Sequence, residues 1–598
     1  MLIAIVLLGV ASLLASGVLF THRRALTYLG VAGALWQTGW LTLTLLDRTI
    51  LQSISTPTVF VAGSAVLLVA FGSFYKRWHL PYGNGVGSGK RDAWVLLPLG
   101  LVIAGAVLIA QHNGFKDNKW ITHGFYNGDT ATLMALTQRS FSTAGLVNEN
   151  PFAANGYLEY PTLLHAGLAT FLDAVHVGAN WFHFMPFMTY IQLVVLIPLF
   201  FLLWDIVMIE PNRERWVGVP SAWMIYALQS LIVIYVLAVS WDGYVYPQSH
   251  FFITSIFILQ TALLRVGYGL KKKAQTIYVL TALAAGVALL FSNAVTGTAA
   301  ITLLLVFAGL RVTDKGRLLA ERQVFLVGGI ILAGLYLVAT PGDAQFSLPG
   351  ISYIGAFDML RLSIVVVPLI VAVFQQLSRE PFLGASASFL ILLSFITFFF
   401  SGREIVVGNA SRFFYHGLLI GFPLVLGLII QLFFYVKREL MYSTKNIGEK
   451  AAGFAAVAAV LLLVALPAGG SVASTYDNLI FKDEQVIATS MREALWWIED
   501  NTVRDAVFIT SEQPPFAVPA FTGRAMLRAD FWLSPNDEIY SMLLMAREGD
   551  KETQAALLSE ADYLLITQET SAVWQETVDT LNSEPVFTNG PVAIYALR

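Results

Sequence analysis

The stretch HNGFKDNKWITHGFYNGDTATLMALTQRSFS (112–142) concentrates the side chains that could do chemistry. Asp129 follows Asn127-Gly128 and precedes a helical pattern with Leu133, Leu136 and Phe141 on one side. A carboxylate there can cap the helix, accepting from its first free N–H groups. On local sequence that is its first role, and a functional role stays open beside it. EYPTLLH (159–165) supplies Glu159 and His165 as ligand-binding candidates, and Pro161 suits the first position of a helix. WDGYVYPQSH (241–250) supplies Asp242, Tyr246 and His250; its aromatic residues also fit an interfacial belt. Arg403 and Arg412 flank the short segment GREIVVGNASR, on the side of the membrane where basic residues are scarce. Locally they read as a snorkelling Arg412 and an Arg403 paired with Glu404.

Other chemistries find no motif. With no cysteine, thiolate metal sites and Cys nucleophiles are excluded. The nine histidines show no His-x-x-x-His spacing for zinc. There is no GxxxxGK[ST] loop and no GxSxG elbow. Asp530, Asp537 and Glu538 form an acidic cluster that could take a cation, although surface acids usually stay solvated.

The elements that must position these residues are apolar. The 598 residues are 56% hydrophobic and 13% charged, far from the balance of a soluble domain. Runs long enough to cross a bilayer fall at 2–20, 26–46, 57–75, 93–111, 184–209, 217–240, 251–268, 274–292, 296–310, 323–340, 359–377, 383–401, 413–436 and 451–470, about 14 spans by the length rule. The first lacks a basic leader and reads as a span, not a signal peptide. Basic residues crowd alternate loops: Arg23/Arg24, Lys76 to Arg91, Arg213/Arg215, Arg265 with Lys271–Lys273, Arg311–Arg322, Arg379 and Lys437–Lys450. The positive-inside rule then puts those loops in the cytoplasm and both termini outside. Residues 161–177 are apolar but hold His165, Asp173 and His176. Counting them as a span would invert every later loop, so 112–183 reads as one external loop with interfacial helices.

Residues 473–598 change character. They carry 8 Lys+Arg against 20 Asp+Glu, and the remainder carries 28 against 19. The acidic tail excludes nucleic acid as a partner. Helices are expected at 484–500, 535–549, 551–561 and 570–582, and strands at 506–511, 562–567 and 592–597. The expected fold is therefore a polytopic α-helical membrane protein with a C-terminal extracytoplasmic α/β domain. Its parts are a three-helix module (1–92), a membrane core (93–472) and the α/β domain (473–598).

One span leading into a long external loop with an early acid, then interfacial helices and many spans, resembles the GT-C superfamily of membrane glycosyltransferases. Protein mannosyltransferases and oligosaccharyltransferase catalytic subunits belong to it. The resemblance covers about 93–598 and rests on NGD (127–129), EYPTLLH (159–165), YVYPQSH (244–250) and ASRFFYH (410–416) at the external membrane face. WIEDNT (497–502), FTGR (521–524) and ADYLLIT (561–567) are similar to external tails of such proteins. The resemblance implies transfer of a sugar from a polyprenyl-phosphate carrier to a glycan, lipid or protein acceptor in the cell membrane. It implies that Asp129 is the base and that Arg412, with Arg403 and His250, holds the phosphate. The chain lacks a DxD pair and has Thr130 where some relatives have a second acid, so the resemblance leaves a divalent metal (Mg or Mn) open. The rival readings are a transporter or flippase of a lipid-linked or polar solute, and a non-catalytic scaffold of envelope assembly. A transporter would favour paired, interrupted spans, which the sequence does not show.

Overall fold

The computed structural model describes residues 2–19, 25–50, 60–66, 69, 114–116, 119–122, 128–158, 160–176, 185–204, 206, 247–270, 272–313, 380–400, 412–417, 419–421, 423–424, 485–510, 517–529, 537–567, 573–574, 576–579 and 584–598. Seven of the expected spans coincide, wholly or nearly, with helices: α1 (Leu2–Leu19), α2 (Ala25–Thr49), α5 (Met185–Trp204), α6 (Pro247–Tyr268), α7 (Lys272–Ser292), α8 (Ala294–Thr313) and α9 (Pro381–Phe400). The other seven lie wholly or partly outside the described residues. Among the described residues, α7 and α8 are long and apolar enough to cross a membrane.

These helices share one apolar core. It joins Leu19, Leu35, Leu199, Phe257, Leu289 and Phe382. Small residues permit close approach: a Cβ at Gly30 of α2 would lie 2.8 Å from Pro198 Cβ in α5, and one at Gly33 would strike Val195. The turn between α7 and α8 is a single residue, Asn293, whose side chain accepts from Thr296 N–H at 2.9 Å and so caps α8. One end of the bundle is tied by charge. Arg265 at the end of α6 makes a two-pronged ion pair with Glu380 before α9, at 2.5 and 2.7 Å. Arg311 of α8 donates to the Leu270 carbonyl at 2.9 Å and lies over the Tyr268 ring. Tyr278 Oη donates to the Leu19 carbonyl at 2.5 Å. The loops expected on the cytoplasmic side thus meet at one end.

At the other end the long loop folds into β1 (Gly114–Lys116), β2 (Lys119–Thr122), α3 (Gly128–Ser142) and α4 (Leu163–Ala174). With 12 residues, α4 is about 18 Å long, too short for a hydrocarbon core of about 30 Å. It docks on α2, where Trp40 Nε1 donates to the Gly167 carbonyl at 2.8 Å.

The C-terminal part contains β3 (Gln485–Ala488), α10 (Thr489–Asn501), β4 (Val507–Thr510), α11 (Ala517–Thr522), β5 (Ala525–Met526), α12 (Glu538–Arg547), α13 (Lys551–Glu560), β6 (Tyr563–Thr567), β7 (Phe587–Asn589) and β8 (Val592–Ala596). One sheet runs β5-β4-β6-β8-β7, with β4 parallel to β5 and β6 and the rest antiparallel. The strands expected at 506–511, 562–567 and 592–597 are its β4, β6 and β8. Asn589-Gly590 turns the β7–β8 hairpin, with Gly590 at φ 56°, a conformation glycine adopts freely. The expected helix 484–500 begins instead as strand β3, because β3 pairs antiparallel with β2 of the long loop: Trp120 faces Ile487 and Ile121 faces Val486.

The long loop 112–183 and the C-terminal part also share a core. Leu133, Met134 and Ala135 of α3 pack with Met491, Leu495, Phe508 and Val518. Residues 132–140 of α3 are all buried, as expected of a helix covered on every side.

Candidate functional site

Helix α3 starts at Gly128, so Asp129 lies in its first turn and not at the cap. One turn on, Leu133 lines a mostly apolar pocket with Trp36 and Trp40 of α2, Leu164 and Phe171 of α4, and Phe252 of α6. The pocket measures about 100 Å³, the scale of one short hydrocarbon segment. Gln37 and Gln192, 4% and 6% exposed, also line it. Their amide oxygens have no hydrogen-bond partner among the described residues. A buried acceptor left unmet is costly.

The same pocket gathers the elements that carry two candidate residues. His250 is in the first turn of α6, two residues before Phe252. Further along α6, the Phe257 ring meets the His416 ring edge-on at 4.7 Å. His416 follows Arg412 by one helical turn, and its Nδ1 lies 2.6 Å from the Arg412 carbonyl. The α3 and α6 helices thus both line the apolar cavity, and the helical residues 412–417 pack against α6 further along it. Arg412 is half-buried. Glu159, Asp242, Tyr246 and Arg403 lie outside the described residues.

His165 sits behind the pocket, not on an open surface. It is buried in α4, its ring 6.0 Å from that of Tyr160. Nδ1 has no hydrogen-bond partner among the described residues, and the imidazole meets the Leu133 backbone. Burial lowers its pKa to about 3, which keeps it neutral. Of the acidic cluster, Asp537 is engaged. It caps α12 by accepting from Tyr540 N–H at 3.0 Å, and it receives Arg528 at 2.6 Å. Those contacts, the Arg528 hydrogen bond first, hold its pKa below the usual carboxylate value. Asp530 lies outside the described residues. Among the described residues, no three His, Asp or Glu side chains converge as a metal site.

The tail motifs turn out to be the joint between the parts. Gly523 of FTGR has φ 69°, and a Cβ there would lie 3.2 to 3.3 Å from the α3 backbone at Gln138 and Arg139. Only glycine meets both demands without strain. Gln138 Nε2 donates to the Phe521 carbonyl at 2.7 Å. Arg524 is buried and donates to the carbonyls of Glu499 and Thr502, each at 2.8 Å, closing the C-terminus of α10 in WIEDNT.

The other end of α3 carries a second cavity of about 390 Å³, lined by both polar and apolar groups. Arg139 reaches Asp505 at 3.1 Å, the Arg504 carbonyl at 2.8 Å and Glu149. The hairpin 148–158 forms the opposite wall. Sequence reasoning passed over this hairpin; its Asn-Pro and Asn-Gly dipeptides (150–151, 155–156) were the signal of an ordered turn.

No family model matches the chain, and no curated protein matches it. Among solved structures it is similar to the archaeal oligosaccharyltransferase AglB of Archaeoglobus fulgidus in complex with an inhibitory peptide and a dolichol-phosphate. That likeness has 11% identity and a TM-score of 0.42, covering 85% of this chain and 74% of that one. It is also similar to an Archaeoglobus fulgidus oligosaccharyltransferase in the apo form, with 13% identity and a TM-score of 0.31, covering 100% of this chain and 74% of that one.

Proposed function

We propose that the chain is a multi-pass membrane glycosyltransferase of the GT-C type. It moves a sugar from a polyprenyl-phosphate carrier to an extracytoplasmic acceptor. The observation that carries this reading is the apolar pocket lined by Leu133 and Phe252, which adjoins the first turns holding Asp129 and His250. A lipid-linked sugar needs an apolar slot for its chain, a cation for its phosphate and a base for the incoming hydroxyl, close together. In this reading the pocket takes the first carrier segment, Arg412 faces the phosphate, and Asp129 accepts the proton of the acceptor hydroxyl. The hydroxyl oxygen attacks the anomeric carbon, and the bond to the carrier phosphate breaks. The basic bundle end with Arg265, Arg311 and Glu380 then faces the cytoplasm, and the C-terminal part is the extracytoplasmic domain. About 14 spans and a plasma-membrane location follow from the same assignment.

The test is Asp129→Asn in membranes supplied with a pool of polyprenyl-phosphate sugars. Transfer to added acceptor should fall by about 100-fold or more, with expression and thermal melting unchanged. Undiminished transfer by a folded Asp129→Asn protein would sink the assignment.

A further inference from the structure

We propose that the cavity at the far end of α3 is a binding site for a neutral oligosaccharide, the acceptor of the transfer. The identity of this ligand as acceptor rests on the reading above; the binding of a neutral glycan does not. The cavity of about 390 Å³ is within the range of small-ligand sites. Its walls come from two segments distant in sequence. The hairpin 148–158 is bolted to the C-terminal part by backbone hydrogen bonds: Ala154 N–H to the Met526 carbonyl at 2.7 Å, Met526 N–H to Pro151 at 2.9 Å and Ala529 N–H to Phe152 at 2.9 Å. Arg528 adds a donor to the Ala154 carbonyl at 3.1 Å. The cavity is thus formed in advance of any ligand, which lowers the ordering cost of binding.

Its chemistry is that of a sugar site. A pyranose offers an apolar C–H face and a rim of hydroxyls that each donate and accept. The cavity presents the Tyr157 ring, the amides of Asn148 and Asn155, and the carboxylates of Glu149 and Asp505. Tyr157 is 72% exposed, yet its backbone is fixed. It bridges to Glu149, and its neighbours are held by Leu158 N–H to Asn148 at 2.8 Å and Asn150 N–H to Gly156 at 3.0 Å. Asn155 holds φ 60°, a conformation asparagine tolerates better than most side chains. Arg139 grips both carboxylates from behind. Its side chain is 10% exposed, and theirs are 67% and 89% exposed, so outward-facing oxygens are left to accept from hydroxyls. Two carboxylates against one guanidinium give the wall a net negative charge, which disfavours a phosphate or another anion. The cavity lies about 15 Å from Asp129, ten residues along one helix. An oligosaccharide held here by inner sugars can therefore extend its end toward the acid.

The full-length protein in detergent is titrated with neutral disaccharides of glucose, mannose and galactose, read by saturation-transfer NMR. At least one should bind. Tyr157→Ala should weaken it about tenfold, and Tyr157→Phe should retain most of the affinity. Asp129→Asn should bind as wild type. No disaccharide binding to wild type overturns the proposal, as does binding that Tyr157→Ala leaves intact, or saturation only by a lysine-rich peptide. Lost transfer in Asp129→Asn together with intact disaccharide binding in Tyr157→Ala would remove this site and leave the glycosyltransferase reading standing. Normal transfer in Asp129→Asn with weakened binding in Tyr157→Ala would do the reverse.

Discussion

The two ends of α3 face opposite kinds of cavity. At the Asp129 end the walls are Trp36, Trp40, Phe171 and Phe252, with Gln37 and Gln192, whose amide oxygens have no hydrogen-bond partner among the described residues. At the Arg139 end polar and apolar groups share the walls, and Arg139 is bonded to two segments, the 148–158 hairpin and residues 504–505. The first cavity is built by helices of the apolar bundle; the second needs the C-terminal part to exist. The difference teaches how a helix buried on every side can link two unlike cavities. One helix reads an apolar partner at its start and a solvated one at its end. Its position therefore fixes the distance between whatever the two cavities hold.

The strongest way to break that arrangement is Gly523→Val. It puts a β-branched residue at φ 69° and a Cβ against the Gln138–Arg139 backbone. The cost should be about 3 kcal/mol, concentrated where the C-terminal part docks. Limited proteolysis should release a C-terminal fragment sooner, and melting should shift down. A variant as resistant as wild type would show that the joint does not depend on this contact.

A smaller effect should separate the cavities without undocking them. Arg139→Met keeps the length of the side chain but leaves Glu149 and Asp505 facing each other. Both carboxylates are well exposed, so screening limits the stability loss to about 1 kcal/mol. Disaccharide binding should nevertheless fall, while polyprenyl-phosphate co-purification, read by native mass spectrometry, should not. Loss of both together would mean that the two cavities are not independent.

Gln192→Leu sharpens the same contrast from the apolar side. An unmet amide oxygen is removed from a hydrocarbon wall, so the unliganded protein should gain about 1 kcal/mol. A lower melting temperature would show that the amide has a partner after all.

The sequence made one of these cavities partly readable and left the other invisible. Asp129, His250 and Arg412 stand out locally, because charged or titratable groups at span ends are rare and visible. Gln37 and Gln192 gave the same kind of signal, being isolated polar residues within apolar runs. The strands β4, β6 and β8 are legible from their β-branched and aromatic runs. Strand β3 is not: QVIA runs into a helix, and its extended form comes from β2, more than 360 residues away in the chain. Local propensity carries no information about such a partner. FTGR was visible as a motif, but the contact that demands its glycine is with α3. The 148–158 hairpin looks like an ordinary surface turn until residues 526–529 are brought beside it.

The subtlest test lies between the cavities, at His165. Burial holds its folded-state pKa at about 3, below the unfolded value of about 6.5. For a base lowered in this way the unfolded chain binds the extra proton. Stability is therefore full above pH 6.5 and falls as the pH drops from there toward 3. Between pH 7 and pH 6 the loss should be about 0.7 kcal/mol from this group. His165→Phe removes the titration and fills the same buried space beside Tyr160. Its melting temperature should vary less than that of wild type over this interval, whatever its absolute value. An equal slope in both proteins would mean that the imidazole already carries a proton in the fold, and that Nδ1 meets an acceptor.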